Sequence, residues 1–408
     1  MFVPRRRNIV VASILIVALP STLWLAAQKK GPPEERWDGL NARVAELYQQ
    51  GNYAEAEPLA QQALQLAETT FGREHPKVAA ALNNLALLYK TQGKYAEAEP
   101  LYRRGLAISE KTLGPEHPDV ATALNNLAGL YRAQGKYTEA EPLLRHSLAI
   151  AEKALGPEHP DVAQSLNNLA ELYRAQGRYA EAEPLFRRSL ATREKALGSG
   201  HPDVAQSLNN LAALYDDQGR YAEAEPLYRR SLAIREKALG PEHPDVANSL
   251  NNLAVLYQER GKYVEAEPLL RRNLAILEKA VGPEHPDVAT ALNNLAALYR
   301  QQGKHAEAEP LYRRSLAISE KALGPEHPDV ANSLNNLAML YKDQEKYAEA
   351  EPLYRRSLAI LEKALGPEHP DVATVLDNLA DLFKAQGKNA EAEPLLQRSR
   401  AIKEKNSH

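Results

Sequence analysis

A histidine returns every 42 residues, at His75, His117, His159, His201, His243, His285, His327 and His369. A proline follows each one. A second column of prolines keeps the same spacing from Pro58 to Pro394, and a third comprises Pro115, Pro157, Pro241, Pro283, Pro325 and Pro367. Self-similarity at a fixed period is the signature of repeat architectures, in which each unit contacts mainly its neighbours. A length of 408 residues would otherwise suggest two or three globular domains. The period overrides that estimate and makes the chain one array.

The unit from His117 to Glu158 shows how the residues specify local structure. Val120, Leu124, Leu127, Ala128 and Tyr131 recur at helical spacing, so His117–Ala133 is predicted to be an amphipathic helix. Pro118 suits the first helical position, and Asp119 lies beside the positive end of the helix dipole. Gly135 supplies a left-handed stop. A second stripe, Ala140, Leu143, Leu144, Ser147, Leu148, Ala151 and Leu155, predicts a second helix ending at Gly156. Proline lacks an N–H, so Pro142 is expected in that helix's first turn, fixing where it begins. A short turn between the two makes an antiparallel hairpin, and Pro157 stiffens the junction between units.

One hairpin cannot bury its apolar face, so neighbouring units must stack into a solenoid. Terminal units should deviate, and they do. Residues 33–74 form a weaker first unit. In the last unit Asp377 replaces an asparagine, Phe383 and Asn389 replace tyrosines, and the final helix turns polar at Gln397, Arg398 and Lys403. The organisation is a basic flank at 1–8, an apolar segment at 9–27, a linker at 28–36, and an array at 37–408. Its nine units lie near 37–74, 75–116, 117–158, 159–200, 201–242, 243–284, 285–326, 327–368 and 369–408.

The spacing Leu124, Leu127, Ala128, Tyr131, Ala140, Leu144 and Ser147 resembles the tetratricopeptide repeat, in the 42-residue form found in kinesin light chains and many bacterial repeat proteins. The resemblance implies an all-α fold: a right-handed superhelical α-solenoid of about nine helix-turn-helix repeats, preceded here by one N-terminal hydrophobic helix. It also implies that the first helix of each unit lines a concave groove for extended peptides. The groove asparagines would be Asn83, Asn125, Asn167, Asn209, Asn251, Asn293 and Asn335. An amide offers donor and acceptor, so a ladder of them could pair with a peptide backbone whatever its side chains. The same amides could instead cap loops or bond across neighbouring units, the reading favoured for the adjacent column, Asn84 to Asn378.

Two turns further along this helix face stand Lys90, Arg132, Arg174, Asp216, Gln258, Arg300, Lys342 and Lys384, with Asp217, Glu259 and Asp343 beside them. A groove basic at both ends and acidic in the middle would suit a protein or extended peptide carrying acidic residues. A solvated helix edge explains the same charges. The lysine–asparagine clamp by which some relatives hold a C-terminal carboxylate is not matched, because Thr122, Gln164, Gln206 and Asn248 stand where a basic residue would help.

Catalytic chemistry is not expected. The chain has no cysteine, which excludes a thiolate site and a cysteine nucleophile. Histidines one unit apart cannot share a metal, because adjacent helices lie ~8–10 Å apart and a ligand nitrogen must sit ~2 Å from zinc. Their expected job is at the helix start. The Ala-Glu-Ala-Glu carboxylates, such as Glu139 and Glu141, recur in every unit and are expected to match the helix dipole. No cofactor loop stands out. A net charge of −3 excludes a broadly basic nucleic-acid binder.

Arg5, Arg6 and Arg7 precede an apolar stretch from Ile9 to Ala27, and Lys29 and Lys30 follow it. Nineteen residues at ~1.5 Å each come close to the ~30 Å hydrocarbon core. An uncleaved anchor is the first expectation, giving a single-pass protein of a bacterial-type cell membrane with a cytoplasmic N-terminus and an extracytoplasmic array. A signal peptide, leaving a secreted or periplasmic array, is the second. The functional expectation is a non-catalytic, membrane-tethered or exported protein-binding scaffold. The alternatives are a cytosolic kinesin-light-chain-like cargo or assembly adaptor, and a regulatory accessory subunit of an enzyme.

Overall fold

The computed structural model describes residues 32–405, which form eighteen α-helices and no strand. The first helices of successive units are α1 (Pro33–Gln49), α3 (Pro76–Thr91), α5 (Pro118–Ala133), α7 (Pro160–Ala175), α9 (Pro202–Asp217), α11 (Pro244–Glu259), α13 (Pro286–Gln301), α15 (Pro328–Asp343) and α17 (Pro370–Ala385). The second helices are α2 (Tyr53–Phe71), α4 (Tyr95–Leu113), α6 (Tyr137–Leu155), α8 (Tyr179–Leu197), α10 (Tyr221–Leu239), α12 (Tyr263–Val281), α14 (His305–Leu323), α16 (Tyr347–Leu365) and α18 (Asn389–Lys405). Each helix packs on the one before and the one after. The chain is a solenoid of nine hairpins. Helix α1 begins at Pro33, inside the segment assigned to a linker, because Pro33 occupies the first helical position and Glu34 and Glu35 its first turn.

The histidines do start helices. In each of the eight, Nδ1 accepts the backbone N–H two residues on, at 3.0–3.2 Å. Imidazole here does what serine or aspartate usually does at an N-cap. The second proline column falls elsewhere than expected. Helix α6 starts at Tyr137, so Pro142 lies one turn further in. The Ala140 N–H bonds the Lys136 carbonyl straight out of the turn, so the helix is under way before proline removes one donor.

Two sets of bonds tie the hairpins. Within a unit, Ser147, Ser189, Ser231, Ser315 and Ser357 are fully buried, and each hydroxyl donates to a first-helix carbonyl 26 residues earlier at 2.7–2.9 Å. A small side chain lets the helices close up, and its hydroxyl satisfies a carbonyl that water cannot reach. Between units, the hydroxyls of Tyr131, Tyr173 and Tyr215 donate to Glu99, Glu141 and Glu183 of the preceding unit at 2.9–3.0 Å. Arg178 and Arg220 reach the same Glu141 and Glu183 at 2.7 and 2.9 Å. Burial pulls the Glu141 carboxyl upward, but bonds from Arg178, Arg145 and Tyr173 outweigh it and hold it below the usual carboxylate range. These glutamates therefore fasten units together, beyond the dipole role expected for them.

None of the eighteen helices is long and apolar enough to cross a membrane. Their apolar stripes are spent on neighbouring helices, and their other faces are charged. The expectation of a single-pass membrane protein with an extracytoplasmic array is corrected on that finding. The segment 9–27 that suggested it lies outside the described residues.

Two successive unit junctions are polar where the next is apolar. Arg193 is 4% exposed, and its guanidinium donates to the Asp203 carbonyl at 3.1 Å, Ser207 Oγ at 3.0 Å and Gln164 Oε1 at 2.7 Å. One unit on, Arg235 repeats the arrangement with Asp245, Ser249 and Gln206. Leu277 fills the same place in the next junction, in a cluster with Ala291. Arg193→Leu alone strands the Gln164 and Ser207 acceptors and should lower urea stability by about 1–3 kcal/mol. Arg193→Leu with Ser207→Ala, reproducing the Leu277–Ala291 junction, should recover part of that loss in a double-mutant cycle.

Glu345 is the one non-glycine residue with positive φ among the described residues, at 60°, where the other turns carry glycine. A side chain there costs roughly 1 kcal/mol. Glu345→Gly should raise the urea midpoint of the full chain correspondingly; a lower midpoint would refute the strain.

Candidate functional site

The first helices lie on the inner curve. Successive first helices touch one another, α3 to α5, α5 to α7 and onward to α17, in addition to packing on the second helices between them. The face they turn inward carries the asparagine columns, the charged column, and a column the sequence reading passed over: Leu87, Gly129, Glu171, Ala213, Val255, Ala297, Met339 and Asp381. That last column changes residue type at nearly every step along otherwise near-identical helices. Its variability is the signal that would have found it.

The asparagines mainly bond each other. Asn210 Nδ2 donates to Asn167 Oδ1 at 2.8 Å, Asn252 to Asn209 at 3.0 Å, Asn294 to Asn251 at 2.6 Å and Asn378 to Asn335 at 2.9 Å. Asn293 donates to Ser333 at 3.1 Å. The two columns thus interlock, with Asn167, Asn209, Asn251 and Asn335 each accepting from the second column of the following unit. Asn83, Asn125 and Asn293 depart from this, each with a buried carbonyl oxygen that no hydrogen bond reaches. Asn167, Asn209 and Asn335 are buried. The ladder is real, and most of its rungs are taken up between units.

Most of the basic residues are also committed. Arg174 lies between Glu171 at 3.0 Å and Asp217 at 3.1 Å, and Arg132 approaches the same Glu171 at 3.6 Å. Arg300 pairs with Asp343 at 2.6 Å, and Lys384 stands 3.9 Å from Asp381. The Lys90 ammonium reaches across to Gly129, filling the space a side chain would occupy there. Lys342 is half-buried. The inner face therefore carries ion pairs running from unit to unit, where the sequence suggested open basic stretches.

Its centre is acidic. Asp216 is pushed up to about 8 by burial first, then by the carboxylates of Glu259 and Asp217, with Arg174 opposing. Tyr228 beneath it is raised too, by burial and then by Asp216. At neutral pH the pair of Asp216 and Glu259 shares a proton across two units. The folded chain holds a proton on Asp216 that the unfolded chain has released, so the folded state loses relative stability as pH rises from the ordinary carboxylate range to about 8. Asp216→Asn should melt above the parent at pH 8, with the gap narrowing at about pH 5. An equal gap at both would show that Asp216 is ionised throughout.

The chain matches the family model described as Tetratricopeptide repeat at residues 40–111, 92–153, 119–195, 161–237, 203–279, 245–321, 287–363 and 329–405. No curated protein matches it. Among solved structures it is similar to a Podosopora anserina protein described as a kinesin light chain of nearly identical TPR-like repeats. The two are 37% identical, covering 50% of this chain and 97% of that one, with a TM-score of 0.42. A Rap protein solved in complex with Competence and Sporulation Factor is 17% identical over 92% of this chain and 99% of that one, with a TM-score of 0.59. Aspartyl phosphate phosphatase F from Bacillus subtilis is 13% identical over 92% and 95%, with a TM-score of 0.54. The last two share the fold.

Proposed function

Because the chain belongs to the tetratricopeptide-repeat family, we propose that it works as a non-catalytic scaffold that holds a protein or peptide against the inner face of its solenoid. One observation carries the reading. Residues that fasten units together repeat almost unchanged, whereas the inward column from Leu87 to Asp381 varies freely on a fixed frame. A surface kept in place and varied residue by residue is what recognition of one partner among many requires. The repeat frame supplies rigidity, so the side chains of this column are held ready, and little ordering cost is left to the binding step.

The interlocked amides and paired arginines change which residues do the work. Asn167, Asn209, Arg174 and Arg300 support this reading as a framework behind the surface. The contacts fall to the variable column, to Thr122 and Asn248 about two turns earlier, and to the acidic centre. Short peptides selected from a phage-displayed random library on the full chain should lose about tenfold or more in affinity with Val255→Glu and Ala297→Glu, changes that copy Glu171 of the same column. Lys237→Glu, exposed on the outer helix α10, should leave affinity unchanged. Equal affinity for the inner-face and outer-face variants would remove the inner face from the account.

A further inference from the structure

Six units after it starts, the solenoid passes over its own beginning. A Cβ added at Gly51 would fall 2.6 Å from Pro286 Cδ; at Gly93, 2.8 Å from Pro328 Cδ; at Gly135, 3.0 Å from His369 Cδ2. His327 Nε2 lies 2.8 Å from the Thr91 carbonyl oxygen. Leu323 packs on the apolar cluster of the first unit, around Tyr53, Ala56 and Leu59, where α14 meets α2. The contacts recur in one register at three successive units. Units 7 to 9 therefore sit on units 1 to 3 along a continuous seam.

Burial separates the histidines accordingly. The side chains of His117, His159, His201 and His243 are 41–42% exposed, those of His285, His327 and His369 only 6–7%. All cap their own helices alike. Only the last three have a preceding turn of the coil against them. At His327 the chemistry is explicit: Nδ1 accepts the Asp329 N–H, so the neutral ring carries its proton on Nε2 and donates it to Thr91. Thr91 ends α3, and its carbonyl is among those a helix C-terminus leaves open. One imidazole thus caps two helices, the start of its own and the end of one 236 residues earlier.

Turn ends meet helix starts across the seam, so the helices run along the coil axis. A first helix of 16 residues, ~24 Å long at ~1.5 Å per residue, fills the rise of one turn. Six inner helices spaced ~8–10 Å apart place their axes on a circle of roughly the same radius. Subtracting about 5 Å for the body of each helix leaves a passage less than about 10 Å across. A single extended chain fits such a passage. An α-helix, ~10–12 Å wide with its side chains, does not.

We propose that the seam is a latch that closes the solenoid into a tube, so that its inner face receives one extended segment entering along the axis and shuts out helical or folded partners from the side. This rests on the reading of the inner face as the binding surface, and the test separates the two. Gly93→Ala with Gly135→Ala puts methyl groups into the seam. Gly219→Ala with Gly261→Ala adds the same left-handed strain, at φ 71° and 69°, where nothing lies within 4 Å. In the full chain, the seam pair should raise the radius of gyration in solution scattering by several ångströms and speed amide exchange at Thr91–Lys94 by about tenfold or more. The control pair should match the parent. If seam and control pairs behave alike in both measurements, there is no latch. One library-selected peptide is then offered as a linear chain and in a hydrocarbon-stapled helical form. The parent should take only the linear form and the seam pair both. An opened seam pair that still discriminates as the parent does overturns the access claim. An opened coil in which Val255→Glu leaves linear-peptide affinity unchanged would remove the inner face as the site and leave the latch standing.

Discussion

A two-helix hairpin has more apolar face than it can cover, and everything in this chain follows from its need for a neighbour. Val204, Leu208, Leu211 and Tyr215 of α9 are sealed by helices before and after them in sequence. Stability is then a sum over junctions, and each junction must be right in position as well as in hydrophobicity. The polar contacts supply the position. The Tyr215 hydroxyl on Glu183, Arg220 beside it, and Asn210 on Asn167 all cross the same junction at fixed offsets. A slip by one helical residue would break all three together.

Near-identity of the units creates its own difficulty, since any unit could pack on any other. The junctions carry distinguishing marks. Arg193 and Arg235 meet serine and glutamine, whereas Leu277 and Leu361 sit in apolar clusters. Burial alone would lower the pKa of Arg193 and Arg235, which limits such a residue to junctions that offer it acceptors. The same logic governs the inner face. There Glu171, Arg174 and Asp217 compensate one another across successive helices, so the groove presents less net charge than its residue types suggest.

The solenoid and its candidate surface were legible in the sequence to different depths. His117, Pro118 and Gly135 announce a helix start and stop through chemistry confined to a few residues, and the structure follows them. Pro142 misled, because a tight turn can start a helix early enough to absorb a missing donor. The asparagines were seen as a ladder, yet whether their amides face a ligand or each other depends on how far apart neighbouring helices stand. Arg174 and Arg300 looked like open basic positions because their partners, Asp217 and Asp343, lie 43 residues further on and one helix across.

Local chemistry therefore determined what repeats here: the helix boundaries, the turns, the 42-residue unit and the number of units. Each follows from dihedral preferences and from the period of apolar residues, which adjacent positions in the chain fix. Tertiary structure alone decided how tightly the units coil. That quantity is a small rotation at each junction, summed over six of them, and no single residue encodes it. It is this sum that brings His327 to Thr91 and buries three of eight otherwise equivalent histidines.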